Sequence, residues 1–147
     1  MEKEKLLIGK PTKNLKELNA VLAFEQEYPI IPRETSGGFG DMKQNLYLIK
    51  DDVIDSCYIE GNSDIRSCIL SFPERQEVGN RKIVGMATDY AFSVLEMQAS
   101  FVIAGKEDKS MILTLSKLGY ESLGAEGEKE TFVQDREMII ERRVTKR

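Results

Sequence analysis

The stretch Ile69-Leu70-Ser71-Phe72-Pro73-Glu74-Arg75-Gln76-Glu77-Val78-Gly79-Asn80-Arg81-Lys82-Ile83-Val84 changes character twice and sets the fold around it. An apolar strand ends at Pro73, which cannot donate to a sheet ladder. A polar loop containing Gly79 follows and opens a helix read from about Gly79 to Met97. Ile83, Ala87, Tyr90, Ala91, Val94 and Leu95 form the apolar stripe of that helix. A helix N-terminus presents unpaired backbone N–H groups and the positive end of the dipole, an arrangement suited to phosphate. A glycine in the loop permits close approach of a ligand to the backbone. The stretch is therefore a candidate anion site.

Upstream, Leu6 to Ile8 is a short apolar start that Pro11 interrupts. Asn14 with Glu17 makes a capping box. It predicts a helix to about Phe24 that buries Leu15, Leu18 and Leu22. Pro29, Pro32 and Ser36-Gly37-Gly38-Phe39-Gly40 mark Glu27 to Met42 as a loop. Strands follow at Leu46–Ile49 and Val53–Ile59, turning at Lys50-Asp51-Asp52, and Gly61-Asn62 leads into a third strand from Ile65 to Phe72. Short links predict an antiparallel meander. Downstream, Ser100–Ala104 is a strand. Asp108 caps a helix carrying Met111, Ile112, Leu115 and Leu118, and Gly119 stops it. Tyr120–Leu123 and Thr131–Val133 form a closing hairpin around Glu126-Gly127. A helix between the third and fourth strands implies a parallel crossover, so the fold class is α/β, an α+β mixed sheet.

The chain has 147 residues, 41% apolar and 31% charged, which fits a single domain over 1–147. The basic end, 141–147 with Arg142, Arg143, Lys146 and Arg147, reads as a frayed, solvated tail. A net charge of −4 gives no global attraction for nucleic acid. No apolar run is long enough to span a membrane, and Met1–Lys10 does not resemble a signal peptide, so a cytoplasmic location is expected. A homodimer is compatible with this composition. Cys57 and Cys68 lie in apolar segments and read as buried thiols with no disulfide. The absence of histidine excludes His-based triads, HExxH zinc sites and imidazole bases, and two cysteines cannot complete a zinc site, so no metal is expected.

The loop Pro73-Glu74-Arg75-Gln76-Glu77-Val78-Gly79-Asn80-Arg81 resembles the acyl-CoA signature of the GNAT N-acetyltransferase superfamily. That signature is Arg or Gln, two residues, Gly, one residue, then Gly or Ala. Gln76 and Gly79 match, and Arg81 stands where Gly or Ala is usual. Asp108 to Tyr120 resembles the family's later helix through Lys117, Gly119 and Tyr120, while Leu115 stands where the family often places its acid, a tyrosine. The order of elements agrees from about Lys5 to Val133. The resemblance implies a GNAT-like domain with a three-strand meander, a crossover helix, a parallel strand, a helix and a C-terminal hairpin. It implies transfer of an acetyl group from the thioester of acetyl-CoA, as co-substrate, to a small-molecule or protein amine. Ser71, Phe72, Gln76, Glu77, Val78, Gly79, Asn80 and Arg81 would hold the coenzyme, with Arg81 beside the diphosphate. Leu115 and Arg81 point to the alternative, a non-catalytic GNAT-fold module that binds acyl-CoA or a partner protein.

The acceptor amine must lose a proton, and Glu60 and Glu74, near strand ends, are the carboxylates placed to take it through a water. Both also suit a purely solvated role, and the sequence assigns no catalytic residue. Arg66 reads as a mid-strand residue facing the acceptor cleft or snorkelling from an edge. Tyr58, Tyr90 and Tyr120 read as core or half-core aromatics. The loop from Tyr28 to Met42 occupies the place where the resembled family builds its acceptor site.

Overall fold

The computed structural model describes residues 4–11, 13–30, 40–50, 52–73 and 81–136. Residues 31–39 of the Tyr28–Met42 loop, residues 74–80 of the glycine-bearing loop and the basic tail 141–147 lie outside these residues. The chain runs β1 (Lys5–Ile8), α1 (Leu15–Glu27), β2 (Met42–Lys50), β3 (Asp52–Asn62), β4 (Ser67–Ser71), α2 (Lys82–Ser93), β5 (Ala99–Gly105), α3 (Lys109–Leu118), β6 (Glu121–Glu126) and β7 (Lys129–Asp135).

Both helix caps read from the sequence are present. Asn14 Oδ1 accepts from the Glu17 N–H at 3.1 Å, and Asn14 Nδ2 donates to Glu17 Oε1 at 3.1 Å. Asp108 accepts from the Met111 N–H at 3.1 Å. Gly119 ends α3 with φ +92°, a left-handed position that favours glycine.

The strands form one seven-stranded sheet in the order β1-β2-β3-β4-β5-β7-β6. β1 to β4 pair antiparallel as a meander, with the Leu6–Ile8 segment adding an edge strand beside β2. The pairing of β4 with β5 is parallel, as a crossover helix requires. The final hairpin does not simply extend the sheet: β7 inserts between β5 and β6.

Helices cover both faces. α2 and α3 pack on one, where Ile83, Val84, Ala87, Met111 and Leu115 meet Leu46, Cys57, Leu70 and Val102. α1 covers the other face at the β1–β3 end, packing Val21 and Phe24 on Tyr47, Ile49 and Val53. Alternate residues of β2 therefore serve both layers, which is why 46–49 is continuously apolar.

The structure corrects the sequence reading at α1, at the third meander strand and at α2. α1 turns Val21 and Phe24 inward, leaving Leu15 72% and Leu22 48% exposed. Its buried face runs through Val21, Phe24 and Tyr28, at i, i+3 and i+7, with Leu18 half-buried beside it, and not through Leu15 and Leu22. The third meander strand starts at Ser67, because Ile65 and Arg66 belong to a turn in which Arg66 takes φ +51°. α2 ends at Ser93, so Val94 escapes the stripe and is exposed.

Candidate functional site

The β4–β5 ladder runs from Ser67–Ala99 to Leu70–Val102 and stops there, although β5 continues to Gly105. Ser71 lies one residue past the last rung and pairs only with Tyr58 of β3. The C-terminal end of a parallel pair is the usual place for a ligand in such sheets. Ser71 and Phe72 sit at that end, both half-buried. No side chain caps the N-terminus of α2, which begins just beyond at Lys82. Glu74, Gln76, Glu77, Val78, Gly79 and Asn80 lie outside the described residues.

Arg81 is at this junction, but its guanidinium is committed to the protein. Nη2 and Nε donate to the two carboxylate oxygens of Asp55 at 2.8 and 3.2 Å, a bidentate pair with both side chains under a tenth exposed. Nη1 donates to the Pro73 carbonyl at 3.0 Å, and the guanidinium lies over the Phe72 ring, 5.6 Å from its centroid. The Arg81 N–H donates to Thr114 Oγ1 of α3 at 3.3 Å. One side chain thus ties the end of β4, the start of α2 and strand β3. Its charge is neutralised by Asp55, whose partnership at a separation of 26 residues the sequence does not disclose.

The tyrosine candidates divide. Tyr120 is buried, its hydroxyl bridging Thr88 Oγ1 at 2.7 Å and Ser100 Oγ at 3.0 Å, and burial holds its proton well above the usual tyrosine range. Tyr90 is buried and donates to Gln44 Oε1 at 2.6 Å. Leu115 is fully buried in the α2–α3 layer, a packing position. Arg66 donates to the Glu96 carbonyl at 2.7 and 3.1 Å, and so holds a turn instead of facing a cleft. Glu60 is half-buried on β3, opposite Lys43 and Ile69 and two residues from Tyr58 on the same face.

Tyr58 opens onto a feature the sequence reading missed. A cleft of about 360 Å³ lies on the α1 face, within the size range of small-molecule sites. Glu25 and Tyr28 line it from the end of α1, and Asn45, Tyr47, Ser56 and Tyr58 line it from the sheet. Tyr47 pairs with Ser56 across the strands, and Asn45 pairs with Tyr58, which in turn pairs with Ser71. Tyr47 is 1% and Ser56 2% exposed; the Ser56 hydroxyl has no hydrogen-bond partner among the described residues, and the Tyr47 hydroxyl faces the Glu25 carboxylate. Burial and the nearby Glu25 carboxylate push the Tyr47 proton affinity up. Glu25 Oε1 is likewise buried, with Lys10 Nζ 3.5 Å away in a partly exposed pair worth about 0–1 kcal/mol. The only signal in the sequence was the polar alternation of Asn45, Tyr47, Ser56 and Tyr58.

A mixed sheet whose parallel pair opens onto a strand–loop–helix junction, flanked by a meander and closed by a hairpin, is the architecture of the GNAT N-acetyltransferases, and the chain has that fold. It is similar to the spermidine N-acetyltransferase of Vibrio cholerae in its dodecameric form, with a TM-score of 0.64 at 12% identity over 93% of this chain and 97% of that one. It is equally similar to the Campylobacter jejuni N-acetyltransferase PseH in complex with acetyl coenzyme A, with a TM-score of 0.64 at 11% identity over 91% of this chain and 99% of that one. No family model matches the sequence, and no curated protein matches it. Among the described residues, no helix is long and apolar enough to cross a membrane.

Proposed function

We propose that the protein is an acyl-CoA-dependent N-acetyltransferase that moves an acetyl group from acetyl-CoA to an amine. The observation that carries this reading is the end of the β4–β5 ladder at Leu70–Val102, with the Tyr58 cleft one strand away on the α1 face. A crevice beyond the last rung would take the pantetheine arm, and the junction from Gln76 to Asn80 would take the diphosphate on backbone N–H groups. Backbone N–H groups at Ser71 or Phe72 would stabilise the oxyanion. The amine would approach through the cleft.

In the reaction the neutral amine nitrogen bonds to the thioester carbonyl, the C–S bond breaks, and one N–H proton leaves. Glu60 and Glu74 are the carboxylates proposed to receive it through water. A thiolate, with a conjugate-acid pKa near 8.5, is able to leave without a dedicated acid. The full burial of Leu115 in the core supports the alternative reading, binding without turnover.

The test is acetyl-CoA-dependent release of free thiol across a panel of amines, with thermal unfolding alongside. Acetyl-CoA at about 100 times its dissociation constant stabilises by about 2.7 kcal/mol, raising Tm by roughly 5–10 °C. Stabilisation with no turnover selects the binding module. No shift at millimolar acetyl-CoA removes both readings. Gly79→Val should abolish the shift while the domain stays folded.

A further inference from the structure

The cleft is organised in two rows. The Asn45–Tyr58 row continues across the sheet to Ser71, at the point where the β4–β5 ladder ends. The Tyr47–Ser56 row lies two residues along the same strands, on the same face, about 7 Å away at ~3.4 Å per residue. The first row adjoins the crevice proposed for the thioester. The second is closed by the C-terminal turn of α1, which brings Glu25 over it.

The second row is unfinished as a piece of protein. Ser56 Oγ is buried there without a hydrogen-bond partner among the described residues, beside the Tyr47 hydroxyl and the Glu25 carboxylate, which face each other. Buried polar groups in folded proteins are normally paired, and an unpaired one is costly. The three share one small space. Tyr47 and Ser56 are directly opposed, and the Glu25 carboxylate bears on the Tyr47 hydroxyl, which stays protonated. Glu25 is the charged side chain lining the cleft among the described residues, and Lys10 pairs with it without lining the cleft. The group these atoms suit carries several N–H donors and a positive charge. An ammonium meets that description, donating to the carboxylate and both hydroxyls. A carboxylate or a bare alkyl end does not.

Resting on the acetyltransferase reading, we infer that the acceptor is a short diamine. Its neutral amine lies in the Asn45–Tyr58 row beside Ser71, and its second, protonated amine is held by Glu25, Tyr47 and Ser56. Two residues of extended backbone are six bonds long, so the ~7 Å between rows sets a spacer of about five or six bonds between nitrogens. The amine nitrogen gains the acetyl group, the thiolate departs, and the displaced proton leaves through water to the carboxylates proposed above. The distal ammonium keeps its charge throughout.

The experiment uses the full chain with acetyl-CoA and reads kcat/KM from thiol release. The probes are 1,4-diaminobutane, 1,5-diaminopentane, pentylamine and 5-aminopentanoate. The diamines should exceed pentylamine at least tenfold, and 5-aminopentanoate should be poorest. Glu25→Gln should raise KM for 1,5-diaminopentane about tenfold and shift KM for pentylamine far less. Lys10→Ala should lower KM for the diamine. Pentylamine turned over as well as the diamines, or Glu25→Gln acting equally on both, would overturn the diamine site and leave acetyl transfer standing. Glu25-dependent calorimetric binding of 1,5-diaminopentane to the CoA-loaded protein, without turnover, would support the site and remove the acetyltransferase reading. No turnover and no calorimetric binding would remove both.

Discussion

Asp55→Ala would strand the Arg81 guanidinium in the interior. Among the described residues that guanidinium keeps the Pro73 carbonyl, and the two hydrogen bonds it loses, at 2.8 and 3.2 Å, are charge-assisted. The pair is 5% and 9% exposed at the side chains, so water does not replace the missing carboxylate. Breaking one partner of a buried pair costs about 3–5 kcal/mol, whereas an exposed pair such as Lys10–Glu25 contributes about 0–1 kcal/mol. Against a total stability of roughly 5–15 kcal/mol, Asp55→Ala should lower Tm by about 10–15 °C. Removing both charges as Asp55→Ala with Arg81→Met should cost much less than the sum of the single losses, because the larger part of each is the penalty of an abandoned partner. Urea unfolding of the wild type, both single variants and the double variant closes the cycle. A loss below about 1 kcal/mol in Asp55→Ala, or additive single losses, would refute the argument that this pair is buried and mutually dependent.

Leu115→Tyr should destabilise by about 1–3 kcal/mol, read by urea unfolding, because a phenol overfills a fully buried position. It should not speed thiol release, and a faster rate would show that this position faces the sulfur. Burial holds the Cys57 thiol well above its usual range and raises Cys68 to about 11, so neither should react with an alkylating agent at pH 8 until the chain unfolds. Because these folded-state values exceed the unfolded value near 8.5, their contribution is complete below that pH and is lost as pH rises toward 11, so Tm should fall over that window.

Much of the scaffold was legible because its signals are local. Asn14 with Glu17, Asp108 and Gly119 act within a helix turn, and the crossover follows from one helix lying between two strands. The α1 face was misread because leucine content is not orientation: Val21 and Phe24 win the core by lying in the row with Tyr28. Arg81 was read as a phosphate ligand because a cation in a polar loop looks available. What commits its guanidinium is Asp55, which only the folding of β3 beneath the loop brings within reach. The cleft was hidden for the same reason, since Glu25 and the Tyr47–Ser56 pair meet only when α1 is laid on the sheet.

The insertion of β7 between β5 and β6 also orders assembly in time. Val102 takes Leu70 as its neighbour on one side and Phe132 on the other. A nascent chain that has emerged only as far as β6 can complete the meander and the crossover, yet it holds β5 with one flank bare. Parallel pairings between distant segments form slowly and bare strand flanks invite association. Of the described strands, β7 leaves the ribosome last, and it is the one that shields this flank of β5.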